Sequence, residues 1–337
     1  HPHRDSLPPR RYEVFTRDSA LEVELFRPEN VALETETTKL GQRYQKLIGG
    51  LAVQFDGEER TLVQMGRYLE ETDRARRQEA GELVANRRLD EAEKIDGQLD
   101  DLAKRRNQMS ANAGFPNYRD FAHRRKGRFD YTPDDCLAFH DAIEQEMVPL
   151  LRELHDERQA ALGIESLKPW DTATDPQGRP PLKPFDEVPQ LISRTQAIFD
   201  QLDGDLAGWF QTMQNLDLLD LANRKGKAPG GYQDSLAEAR LPFIFMNSVG
   251  VQRDVETLLH EAGHAFHTMA CRCTRTATRR SSFAKSPRWR WSCSAANTSA
   301  SFTTQRKCAV RGSPTSRASC SCSRGSPRSM RSSTGST

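Results

Sequence analysis

Apolar and charged positions alternate along most of this chain with the period of an α-helix. Between Glu58 and Met109, Leu62, Met65 and Leu69 fall at helical spacing among dense charges of both signs, which predicts helices with a solvated outer face. A loop follows around Gly114, Phe115 and Pro116. At Thr132-Pro133-Asp134-Asp135, a capping threonine and a proline suited to the first helical position open a long helix toward Leu162. The Pro- and Gly-rich connector from Asp175 to Pro184 separates it from another helical stretch, Val188 to about Leu221. Residues 1–30 are expected to be irregular, with the helical domain spanning 31–272. There is no internal repeat.

The helical period breaks once. Glycines and Pro229 mark a turn, and Leu241 to Met246 is a short apolar run of strand type. Helical spacing resumes at Asp254, a candidate N-cap, with Val255, Leu258, Leu259, Ala262, Phe266 and Met269 as the apolar positions of a helix reaching about Ala270. On it lies the pentad His260-Glu261-Ala262-Gly263-His264. At 3.6 residues per turn, imidazoles four positions apart project from one face and can share a tetrahedral Zn²⁺, while the glutamate between them reaches water on the metal. The plain alternative is a chance pentad whose histidines are simply hydrogen-bonded on a buried helix. The strand, short loop and amphipathic helix leading into it favour the metal site. His267 lies near the same face, but a three-histidine spacing would need its third histidine at Ala270, so His267 is read as outer support or packing.

Composition changes this picture by dividing the chain near Cys273. All 47 acidic residues lie at or before Glu261, so residues 1–273 carry a net charge of −11 against +13 for residues 274–337. The first part is long enough for one large domain or two small ones. The second has no Leu, Ile or Tyr and cannot build a core. Six of the seven cysteines fall at or after Cys271, unlike the framework of a secreted disulfide protein, so a cytoplasmic setting is expected. There is no apolar run of membrane-spanning length and no signal peptide, and an upstream portion is compatible with a chain that opens on His1.

Several separated motifs, in a consistent order, carry a resemblance. GKAPGGY at Gly226 to Tyr232, PFIFMN at Pro242 to Asn247 and DVETLLHEAGHAFH at Asp254 to His267 resemble the catalytic core of the thimet oligopeptidase and oligoendopeptidase F family of zinc peptidases. LKPWD at Leu167 to Asp171 and FPNYRDFAHRRKGRFDYT at Phe115 to Thr132 resemble the helical segments before that core. The resemblance covers most of residues 30–272. It implies a mainly α fold, a helical clamshell with a small β-sheet and a deep channel that admits short peptides. It also implies Zn²⁺ held by His260 and His264, Glu261 as general base, and Gly230, Gly231 and Tyr232 facing the peptide.

Beyond Arg272 the chain departs from that pattern. The family's third ligand is a glutamate in a string like F-x-E-x-x-S, and Phe283-Ala284-Lys285-Ser286 stands there instead. A permitted choice of codons for Lys285 onward, read one base earlier, gives EVASMAMELL and so FAEVASMAMELL, with glutamate in the slot of Lys285. Cys322 onward likewise gives LLPWIATIDAFQHWIY. A one-base slip turns every TCN serine codon into one for Leu, Ile, Val or Phe, so a Ser-rich tail is the shadow of an apolar one. The expectation is an oligopeptidase out of frame after about residue 273, with weak zinc binding and impaired activity as written. The other class is a non-catalytic helical scaffold with a basic RNA-binding tail in residues 273–337. Peptide preference and oligomeric state are not legible.

Overall fold

The computed structural model describes residues 8–270, apart from the side chains of residues 9–11. The chain begins with α1 (Pro9–Leu25) and α2 (Pro28–Gly50), then a hairpin of β1 (Ala52–Phe55) and β2 (Glu58–Thr61). A short helix, α3 (Leu62–Met65), a 3₁₀ turn (Gly66–Glu70), α4 (Arg74–Leu89), α5 (Ala92–Asn112) and α6 (Tyr118–Arg125) follow. The next helical run is α7 (Pro133–Ala142), a π turn (Ile143–Met147) and α8 (Val148–Leu162). After the connector come α9 (Val188–Leu202), α10 (Gly204–Asn215), β3 (Leu219–Ala222), β4 (Tyr232–Leu236), β5 (Leu241–Ser248) and α11 (Gln252–Ala270). The expected mainly helical fold with small sheets is what the chain adopts.

Three expectations are corrected. The segment before residue 31 is not irregular: prolines at the starts of α1 and α2 suit the first helical turn, where no N–H partner is needed. Leu21 of α1 is buried, and Leu25 packs on the cluster of Met109, Ala113 and Phe121. Glu58 to Thr61 is strand rather than helix, because Asp56-Gly57, both at positive φ, make the tight turn that matches strand twist. The stretch Val188 to Leu221 is two helices and a strand. The Asp203 carboxylate accepts N–H groups of Asp205 and Leu206 to start α10, and β3 leaves the helical path after Asp217 at positive φ.

The sheet that matters for function has the order β3-β5-β4, with β3 parallel and β4 antiparallel to β5. Ile244 and Met246 of β5 join Leu191, Ile198, Phe199 and Phe210 of α9 and α10 in one core, which α11 completes with Val255, Leu258, Ala262 and Phe266. The stripe expected for α11 is the buried one. Burying a large aliphatic side chain there contributes about 1.5–3 kcal/mol. This packing sets the helix firmly on the sheet and leaves its other face for chemistry.

Candidate active site

α11 starts two residues before Asp254. Asp254 therefore lies inside the first turn rather than capping it, and its Oδ2 accepts the backbone N–H groups of Val249, Gly250 and Val251 at 2.7, 2.9 and 3.1 Å. The carboxylate ties the loop after β5 to the helix. Burial pushes its pKa up against the pull of these three donors.

Two turns on, His260 and His264 meet. Their Nε2 atoms are 3.2 Å apart and their rings stand at 85°. That separation suits one N–H···N hydrogen bond. It also suits a metal, since with zinc–nitrogen bonds of about 2.05 Å it would subtend roughly 103° at a shared ion, near the tetrahedral angle. Glu261 sits between them and is buried. His267 is half-buried. Among the described residues no cluster of three or more His, Cys, Asp or Glu side chains forms, so the two imidazoles offer a shared metal at most two donors there. Lys285, Cys271 and Cys273, and with them the reading of the basic tail, lie outside the described residues.

β4 runs alongside this helix. Ser235 Oγ is 3.4 Å from Thr268 Oγ1 at one end. At the other, a Cβ on Gly231 would come 3.1 Å from Thr257 Cγ2 and 3.3 Å from Met246 Cβ, so the absence of a side chain is what permits this approach. Thr257, His260, His264 and Thr268 recur at helical spacing, which puts the imidazole pair between these two contacts. In the pleat, Gln233 and Ser235, opposite Ile244 and Pro242, take the face toward α11. Tyr232, opposite Phe245, takes the other. Its ring stacks on Phe245 at 4.9 Å and 18°, half-exposed and turned away from the histidines. Of the three residues expected to face a peptide, Gly231 lies against α11, Gly230 makes the turn at φ 97°, and Tyr232 opens β4 opposite Phe245.

Residues 67–286 match Peptidase family M3. The chain belongs to peptidase family M3. Among solved structures this M3 chain is similar to PZ peptidase A with an inhibitor, at 32% identity and TM-score 0.70 over 74% of this chain and 44% of that one. It is also similar to an oligoendopeptidase F from Bacillus anthracis, at 29% identity and TM-score 0.74 over 79% and 49%. A further oligoendopeptidase F matches at 30% identity and TM-score 0.72 over 78% and 47%. The M3 chain thus spans about half the length of the structures it matches. No curated protein sequence matches it.

Sequence reasoning missed Lys227. Its buried ammonium donates to the Asp220, Ala222 and Met246 carbonyls at 2.9, 2.9 and 2.6 Å and to Asp220 Oδ1 at 2.9 Å, and lies 4.3 Å from the centre of the Phe245 ring. Burial pulls the lysine pKa down, while Arg224 and Lys227 together hold Asp220 at about 2. In sequence it is one of three basic residues in Arg224-Lys225-Gly226-Lys227, and only the fold singles it out by surrounding it with acceptors. No described helix is long and apolar enough to cross a membrane.

Proposed function

We propose that this chain carries the zinc-binding half of an oligopeptidase active site that hydrolyses peptide bonds in short peptides, with His260 and His264 as metal ligands and Glu261 as general base. The observation that carries this is the 3.2 Å approach of the two Nε2 atoms on the face of α11 that β4 flanks. When bound, Zn²⁺ supplies Lewis acidity, polarising the scissile carbonyl and lowering the pKa of a water at neutral pH. Glu261 takes the proton from the attacking water and later gives it to the leaving amine. Strand addition at β4 would orient an extended peptide by main-chain hydrogen bonds, independent of its side chains. The rigid packing of α11 on β5 keeps the general base in register with that strand. The names of the matched structures, oligoendopeptidase F and PZ peptidase A, support a peptide substrate. A cytoplasmic setting is part of the same reading.

The test is hydrolysis of a quenched fluorescent peptide by four proteins: the chain as written, the chain with the alternative frame restored after Ala284, and that restored chain with Glu261→Gln or His264→Ala. The restored chain should cleave and a chelator should stop it. Glu261→Gln should lower turnover by about a thousandfold with zinc still bound, because the glutamate moves protons and holds no metal. His264→Ala should lose both. Equal cleavage by the chain as written and the restored chain, or an undiminished rate with Glu261→Gln, overturns the proposal.

A further inference from the structure

The turn that leads into β4 is held by a hydrogen-bonded chain that starts far away in sequence, in the β1–β2 hairpin. Thr61 Oγ1 accepts the N–H of Gln64 at 3.2 Å, so its own proton goes to Asn223 Oδ1 at 2.8 Å. That fixes the Asn223 amide, whose Nδ2 donates to Asn247 Oδ1 at 3.0 Å. Asn247 Nδ2 then donates its two protons to the carbonyls of Ala228 at 2.8 Å and Gly230 at 3.0 Å. Each amide in this series has one workable orientation. Flipping Asn247 would set its oxygen against two carbonyl oxygens and leave two NH₂ groups facing each other. Thr61 and Asn247 are both buried, so water cannot substitute freely for a broken link.

A second contact reaches the same turn from the end of α2. Gly226 N–H donates to Gly49 C=O at 2.7 Å, and a Cβ on Gly49 would stand 2.5 Å from the carbonyl oxygen of Lys227. The turn is therefore pressed from below by Gly49 and pulled from the sheet side by Asn247.

We propose that Asn247, oriented through Asn223 by Thr61, is a positioning residue that sets the height of the Gly230–Tyr232 turn and hence the distance of the β4 edge from the zinc-ligand face of α11, with Gly49 as the stop on the other side. This rests on the functional reading above only for its consequence, peptide binding. The geometric part stands on the described residues alone.

The experiment has two readouts. In the full chain as written, amide hydrogen exchange compares Gly230–Leu236 with Val255–Phe266 for Asn247→Asp, Asn223→Asp, Thr61→Val, Thr61→Ser and Gly49→Ala. Asn247→Asp keeps the acceptor for Asn223 and loses both donors. Exchange of the β4 amides should rise about tenfold in it, with α11 unchanged. Thr61→Val and Asn223→Asp should give the same signature more weakly, Gly49→Ala should reproduce it by collision, and Thr61→Ser should match the parent. In the frame-restored chain, Asn247→Asp should raise KM for a quenched fluorescent nonapeptide about tenfold with kcat nearly unchanged, and zinc content equal to the parent. Parallel rises in β4 and α11 would mean a general loss of stability and overturn the proposal, as would unaltered β4 exchange. A Glu261→Gln control separates the failures: full activity in it sinks the peptidase reading, whereas lost activity in it beside an unchanged KM in Asn247→Asp sinks the positioning role alone.

Discussion

α11 and the α7–α8 run are both amphipathic, yet they end in opposite states. α11 buries Val255, Leu258, Ala262 and Phe266 against β5, α9 and α10. In α7, the π turn and α8 no residue is buried, and Phe139, Met147 and Leu154 stand 65%, 54% and 53% exposed. The stripe on the longer run is nonetheless continuous. The π turn at Ile143–Met147 takes in one extra residue, so Phe139, Ile143, Met147, Leu151 and Leu154 follow one another along one side. The difference shows that a helical hydrophobic period fixes which face is apolar and leaves open what covers it. For α11 the cover is a sheet a few residues upstream, whereas among the described residues the apolar stripe of α7–α8 has no buried position.

This comparison can be broken by substitution. Leu258→Ala should cost about 3 kcal/mol in denaturant unfolding, since a fully enclosed side chain leaves a cavity. Asp254→Ala should cost about 2 kcal/mol, because three backbone N–H groups lose their acceptor, and should loosen amide protection at Val249 to Val251 before the rest of α11. Asp220→Asn should lower stability above about pH 4 and converge on the parent in acid. The carboxyl sits at about 2 in the folded chain against an ordinary 3.8, so its contribution is present above about pH 4 and is lost as pH falls toward 2. The variant should flatten that limb of the stability curve while Lys227 keeps its carbonyl partners. Leu154→Ser should change stability by less than about 0.5 kcal/mol. A cost for Leu154→Ser as large as that of Leu258→Ala would show that the α7–α8 stripe is covered in solution and would end the contrast.

Some of the site was plain in the residues. The pentad spacing puts His260 and His264 on one helical face in any α-helix, and the apolar positions of α11 name the buried side. The start of the helix was less plain, because Asp254 has the chemistry of a cap but spends it on N–H groups upstream rather than on its own helix end. Asp56-Gly57 was a legible hairpin signal lost among the charges of the following helices. The stacking of Tyr232 on Phe245, on the face of β4 away from α11, was not legible in the sequence.

Local periodicity, capping residues and turn glycines act within a few positions, so the sequence by itself determined the helical class, the two outer ends of the α7–α8 run, the start of α11 to within three residues and the imidazole pair. Pairing between distant segments was decided only by the tertiary structure. The parallel β3–β5 contact, the closure of Thr61, Asn223 and Asn247 onto one turn, and the four oxygens around Lys227 each join groups that no local spacing relates. A hydrogen bond or a buried charge is satisfied by whichever acceptor the fold brings near, and that is a property of the assembled layers.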